Sequence, residues 1–382
     1  MPEEKQLTAN KGEWSEFYTF CHILRTGELC ASDSYLRPLS ATPIPILEIV
    51  RRDDPYGERV YKIQDNSVQL VKNHSLVKII PAKEIDKVSK IVLRALLDDS
   101  RSRSFSIPGT EDFLKMIWID RIKADTTHKE DIILRFQDLR SGLTPVMGFS
   151  IKSYIGGDPT LLNASEATNF RFMIESCNDE LMEQVNSIET KNKITDRMAT
   201  LLSSGCKFIY HGCVNEKFDR NLRILDGSMG EIIGEMLYRS YAKDKFNKLS
   251  EIVDEIEYDD PLKQDISEYY RFKVKKFLYH IALGLTPTAD WKGEEGSNGG
   301  YIVVKENGEI VCFFLYDRSI FEDYLLNNTR FERGSTSRHR YATVHKKSDG
   351  TYYIDLNLQI RFTPVQRSKK LRPLARGQMT IG

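Results

Sequence analysis

Apolar residues recur at helical spacing soon after the start of the chain. Trp14, Phe17, Tyr18, Cys21 and Leu24 mark one face of NKGEWSEFYTFCHILRTGEL. Asn10 precedes this run and Glu13 follows it three residues later, a capping-box arrangement, and Gly27 closes the segment. The period then shortens to two. PILEIV, RVYKIQ, SVQLV and LVKII, between residues 44 and 80, read as short strands separated by Pro and Asp turn signals. Residues 82–98 return to an amphipathic helical pattern, and a further helix is predicted over 110–119 with Thr110 as its cap.

The segment DIILRFQDLRSGLTPVMGFSIKSY reads as two apolar runs joined by a polar turn, and PTLLNASEATNFRFMI continues from it as helix or strand. From about residue 178 helices dominate. They are predicted over 178–204, over 228–242 with Ser228 and Glu231 as a capping box, and over 245–257. One more is predicted from an Asp260 cap, with Pro261 in its first position, to about Leu283. Strands return in YIVVKENGEIVCFFLY, a hairpin turning at Asn307-Gly308, and in YATVHKKSDGTYYIDLNLQIRF, turning at Asp349-Gly350. The class is mixed α and β, without internal repeats.

Composition narrows the class of protein. At 382 residues, 40% hydrophobic and 29% charged, the chain reads as globular, with no apolar run near the roughly 18 residues of a membrane span. The polar, acidic N-terminus does not resemble a signal peptide, so the expectation is a cytoplasmic protein. Zero formal net charge argues mildly against nucleic acid, but the charges are unevenly placed. Residues 330–347 hold six Lys or Arg against one acid, and residues 365–382 hold five bases and no acid. Of the six cysteines none forms a CxxC pair, and Cys206 and His211 would fall on opposite faces of a strand, so zinc is not expected.

The hairpin near residue 140 carries candidate chemistry. With its turn centred on residues 141 and 142, Asp131 faces Lys152 and Ile133 faces Ser150. Ile132, Leu134, Phe136, Phe149 and Ile151 then form a core face, and Asp131, Ser150 and Lys152 share the other. A carboxylate and an ammonium at one end of a sheet suit metal-assisted hydrolysis. The acid binds Mg²⁺, and the lysine orients the attacking water and offsets charge on the phosphate. The plainer alternative is a cross-strand salt bridge. One carboxylate is too few for the usual metal site. Glu16 flanks the apolar face of the first helix, Glu13 stands one turn earlier, and Glu166 follows Lys152 by fourteen residues.

These residues also carry a resemblance. NKGEWSE (10–16), GFSIKSYIGGDPTLLNASEATNF (148–170), GGYIVVKENGEIVCFFLYDRSIFEDYLLNNTRFE (299–332), STSRHRY (335–341) and LNLQIRF (356–362) are similar to the HpaII-type family of type II restriction endonucleases. The family resembles the PD-(D/E)xK nucleases, which implies a core of mixed sheet flanked by helices, followed here by a C-terminal α+β region. In that pattern Asp131 matches the first acid and Lys152 the lysine, whereas Glu130 replaces the proline and Ser150 replaces the second acid. Some such enzymes recruit a glutamate from a helix, four residues after a Lys-Gly pair, which fits Glu16. Another branch, with serine in this slot, takes its acid from beyond the lysine, which fits Glu166. Catalytic candidates are thus Asp131, Lys152, Glu16, Ser150 and Glu166, and candidate metal ligands Asp131, Glu16 and Glu13.

The resemblance implies cleavage of duplex DNA at the palindrome CCGG after the first C, Mg²⁺ dependence, and a partner cytosine methyltransferase that blocks cutting, all in a bacterial cytoplasm. A palindrome suggests a homodimer. Guanine and cytosine edges call for Arg or Lys and for acids or amides. Asn163, Ser165, Thr168 and Asn169 lie just beyond Lys152, and Ser335, Ser337, Arg338, His339 and Arg340 lie in STSRHRY, so both segments are expected to meet DNA. The division expected is a nuclease core at 1–184, a recognition or dimerisation region at 185–363 and a basic tail at 364–382. The rival readings are an inactive DNA-binding protein, for which Ser150 is the motive, and a structure-specific repair nuclease of the same fold.

Overall fold

The computed structural model describes residues 7–39, 43–98, 103–122 and 130–364. The expected basic tail lies outside them from residue 365 onward. Helix α1 (Lys11–Thr26) begins at the expected capping box: the Glu13 N–H donates to Asn10 Oδ1 at 3.0 Å and the Asn10 N–H to Glu13 Oε2 at 2.9 Å. Gly27, at φ 68°, ends it in the left-handed region, which costs a residue without Cβ little.

The largest sheet has nine strands. β1 (Ile44–Asp53), β2 (Gly57–Gln64), β3 (Ser67–Lys72) and β4 (Ser75–Pro81) form an antiparallel meander, and helix α2 (Ala82–Leu96) follows directly. β5 (Ile132–Phe136) pairs antiparallel with β1 on one side and with β6 (Val146–Ser153) on the other. β7 (Gly300–Val304) then lies parallel to β6, and β8 (Ile310–Phe314) closes that edge; Glu28–Leu29 is the short ninth strand, on β1.

Both faces of this sheet are covered. Phe149, Ile151, Ile302, Val304 and Cys312 join Trp14, Phe17 and Cys21 of α1 in one core. Tyr301, Val303, Val311 and Phe313 turn the other way, into a second core with Met229–Ala242, Leu249–Asp259, Tyr269–Leu283 and Arg318–Asn327. This two-sided burial explains why YIVV and IVCFF are uninterrupted apolar runs. A smaller sheet runs Lys207–Cys213, Asn169–Glu175, Tyr352–Asn357, Val344–Lys346, and a third joins Thr160–Leu162, Ile360–Phe362 and Thr329–Phe331.

The mixed α and β class is as expected, and several local expectations are corrected. The helix over 178–204 is two, Asp179–Asn186 and Lys193–Ser203. Ser228 forms no capping box, because its hydroxyl donates to Asp226 Oδ1. Asp260 ends a helix instead of starting one, and its carboxylate accepts from the N–H groups of Gln264 and Asp265 and from the Tyr270 hydroxyl, so the next helix waits until Tyr269. Thr110 donates to the Ile107 carbonyl and makes no side-chain cap. The expected boundary at 184/185 cuts across both architectures: β7 and β8 belong to the sheet of β6, and Asn169–Glu175 belongs with Tyr352–Asn357.

Candidate active site and the loops beside it

The β5–β6 ladder sets the first part of the site. Its register is Ile132 with Phe149, Ile133 with Gly148 and Leu134 with Met147, and the regular pairing ends there, one residue short of Asp131. The expected register was two residues out because the turn sits earlier. Asp138 organises it, accepting from the Arg140 N–H at 3.0 Å and the Ser141 hydroxyl at 2.6 Å, and Gly142 takes φ 72°. A shift of two keeps every side chain on its face. Asp131 lies one residue before β5, and Lys152 lies within β6, where it pairs with Val303 of β7.

At Asp131 the ladder stops being purely backbone. The Asp131 N–H still donates to the Phe149 carbonyl at 3.0 Å, but the Ile151 N–H donates to Asp131 Oδ2 at 2.7 Å. The carboxylate is thereby pinned at the strand end. Ser150, beside it, is buried, and its hydroxyl lies 2.8 Å from that of Ser297. This serine holds a loop and presents no ligand to an open site. The loop straps β6 further: the Gly148 N–H donates to Asn298 Oδ1 at 3.0 Å, and the Gly299 N–H to the Gly148 carbonyl at 2.8 Å. Gly300 must be glycine, since a Cβ there would lie 2.4 Å from the Phe313 carbonyl oxygen.

Helix α1 supplies the second carboxylate. Glu16 and Asp131 line one cleft of about 50 Å³, together with Glu130, Arg51 and Arg52 and an apolar floor that includes Phe17 and Ile49. The start of α1 is tied to the loop after β6, where Lys11 packs so closely on Gly156 that a Cβ would meet it at 2.5 Å. Glu13 is committed to the helix cap, and Glu166 pairs with Arg340 Nε at 3.3 Å; neither lines this cleft.

Arg51 and Arg52 were not anticipated from the sequence. Arg51 is fixed from behind, its Nε donating to Asp53 and its Nη2 to the Arg121 carbonyl at 2.7 Å. Asp53 is in turn paired with the fully buried Arg59. The signal was available in principle, because β1 neighbours β5 and its last residues must reach the level of Asp131.

The cleft offers oxygen donors, which suit a hard divalent cation. Among the described residues no three His, Cys, Asp or Glu side chains are gathered as a metal cage. Mg²⁺ needs none: one or two carboxylates plus substrate phosphates and water commonly suffice. Glu16 and Asp131 fit that set.

The two segments expected to meet DNA come together at one place. Asn163, Ser337, Arg338 and Arg340 are exposed. Thr168 and Asn169 are not available to DNA, which corrects the expectation for them. Both are buried, and Asn357 Nδ2 donates to Thr168 Oγ1 at 3.1 Å and to Asn169 Oδ1 at 2.6 Å. Asn169 Nδ2 then donates to the His339 carbonyl at 2.9 Å. The Ser165 carbonyl accepts from Asn357 at 2.8 Å, and Ser335 caps the short helix Thr336–His339. Small polar residues after the lysine thus serve partly as internal fasteners, and Asn357, fully buried, is the fastener the sequence did not reveal.

No helix among the described residues is long and apolar enough to cross a membrane. No solved structure matches the chain. The type II restriction enzyme HpaII of Haemophilus parainfluenzae is 37% identical over 360 residues, spanning 93% of this chain and 99% of that protein. The family model described as HpaII restriction endonuclease matches residues 10–362, from the cap of α1 through the cleft and both loops to the last described strand, and the chain belongs to that family.

Proposed function

We propose that the protein is a type II restriction endonuclease that hydrolyses duplex DNA at CCGG, between the two cytosines, with Mg²⁺. The family and the relative's printed name support site-specific DNA cleavage, and enzymes of this type generally use divalent metal ions. One observation carries the assignment of the site: Asp131 is held by the N–H of Ile151, the residue before Lys152, and Glu16 lines the same cleft as Asp131.

Asp131 and Glu16 are the residues that hold the cation, which supplies Lewis-acid activation of the scissile phosphate. Lys152 orients the attacking water and offsets negative charge as it builds on the phosphate. The Ile151 N–H keeps Asp131 in one rotamer, so the site is ordered before substrate arrives. Arg51, bonded to Asp53, and Arg52, bonded to Glu58 at 2.8 Å, stand at the wall a DNA strand would pass.

Recognition falls to the 163–168 and 335–340 loops. A palindromic target suits a homodimer, and a cytosine methyltransferase of the same specificity protects the host genome in the bacterial cytoplasm. Digestion of one sequenced plasmid with Mg²⁺ tests the reading: fragments ending at CCGG support it, and a smear or uncut plasmid with purified, folded protein defeats it.

A further inference from the structure

We propose that Glu166 and Arg340 together read one C·G base pair, Arg340 donating to guanine O6 and N7 and Glu166 accepting from the cytosine N4 amino group. This rests on the reading of the chain as an endonuclease with a C·G-containing site. The two side chains come from segments 174 residues apart, yet they meet at 3.3 Å with side chains 53% (Glu166) and 79% (Arg340) exposed. An exposed pair of this kind adds almost nothing to stability. Stability therefore does not account for the pair itself.

Beneath it is a buried amide relay. Asn357 holds Thr168 and Asn169 at the end of the turn that carries Glu166, and Asn169 holds the carbonyl of His339, the residue before Arg340. The relay fixes the spacing of the two side chains. Arg340 itself sits at φ 47°, ψ 58°, a left-handed conformation that a residue with a Cβ adopts at a cost, and such outliers are held where placement matters.

The chemistry of the pair matches the edge it would meet. In the major groove guanine presents two acceptors, which a guanidinium bonds bidentately, and cytosine presents one amino donor, which a carboxylate accepts. A lone glutamate would be repelled by the phosphates. Paired with Arg340 it carries no net charge into the groove.

The test uses the full chain and short duplexes, with binding measured by competition in Ca²⁺ and cleavage in Mg²⁺. Arg340→Ala is expected to weaken binding and cleavage of CCGG roughly 10- to 100-fold while leaving affinity for a duplex without the site unchanged. Replacing a guanine of the site by 7-deazaguanine, which lacks N7, is expected to weaken the wild type but not Arg340→Ala any further. Glu166→Ala is expected to raise binding to sites with one altered C·G pair relative to CCGG. Melting temperatures of both variants should match the wild type, since both side chains are exposed.

Variants that keep the wild-type preference among all these duplexes overturn the pair as reader. So does an equal loss on duplexes with and without the site, which marks Arg340 as a phosphate anchor. A wild type that prefers a different site defeats CCGG first. The same variants on that site then decide, and a site with no C·G pair overturns the reader as well.

Discussion

The Ile151 N–H donates to Asp131 Oδ2 at 2.7 Å, at the point where the ladder between β5 and β6 ends. A strand residue that would otherwise bond backbone is spent on holding a carboxylate. Asp131→Asn keeps the shape but weakens both that bond and any hold on a cation. Cleavage should fall on the order of 10²- to 10³-fold, with DNA binding in Ca²⁺ retained. Single-turnover cleavage beside a binding titration checks it.

Lys152→Ala should lose at least as much. The ammonium is needed only as charge develops, so the loss belongs to kcat with KM for DNA nearly constant. Equal cutting of a plasmid by the wild type and Lys152→Ala would show that the lysine has no part in the chemistry.

The three glutamates separate cleanly. Glu16→Gln should lower Mg²⁺-dependent cutting on the order of 10²-fold and raise the metal concentration needed for half of the remaining activity. Glu13→Gln should leave kcat unchanged and lower stability by about 1 kcal/mol or less, because it weakens one helix cap. Glu166→Gln should keep the rate on CCGG within about 10-fold. A Glu166→Gln enzyme as inactive as Asp131→Asn would move the second ligand from α1 to the loop beyond Lys152.

Asn357→Ala removes donors to Ser165, Thr168 and Asn169 at once, in a fully buried place. Thr168 Oγ1 and the Ser165 carbonyl keep their bonds to each other's residue, but Asn169 Oδ1 is left unpaired, which should cost about 1–3 kcal/mol. Specificity among single-substituted sites should degrade along with the melting temperature. Loss of stability with specificity intact would separate the relay from recognition.

Acid should destabilise the fold through His280. Burial pushes its imidazole down from 6.5 to about 4, Arg318 and Lys276 add to this, and Glu295, with its carboxylate 3.8 Å away, opposes it. Between these values the unfolded chain binds a proton that the folded one refuses. The stabilisation is complete above pH 6.5 and is lost as pH falls toward 4, by at most about 3 kcal/mol for this 11%-exposed side chain. The melting temperature should drop over that range, and His280→Gln should flatten the profile.

What could be read in the sequence was local. Helix α1 carries its cap, its period and its terminating glycine within eighteen residues, and structure follows them closely. The core face of Ile132, Leu134, Phe136, Phe149 and Ile151 survived a register error because side-chain direction depends only on parity. The error itself came from Asp138, whose side-chain bonds move the turn and leave no mark on hydrophobic pattern. Pro261 misled for a similar reason: Asp-Pro serves a turn as readily as a helix start. Thr168 and Asn169 have the chemistry of DNA contacts, and only burial distinguishes an internal fastener from a reader. The neighbour of β6 was beyond any local signal, since β7 arrives about 150 residues later.

That late arrival orders events during synthesis. A nascent chain still short of residue 297 already contains Glu16, Asp131 and Lys152, but β6 has an open edge and no Ser297 or Asn298 to strap it. The loop bearing Arg340 and the anchor Asn357 come later still. A ribosome-bound or truncated product therefore carries the cleft's carboxylates without the strand that covers β6 or the loop that holds Arg340.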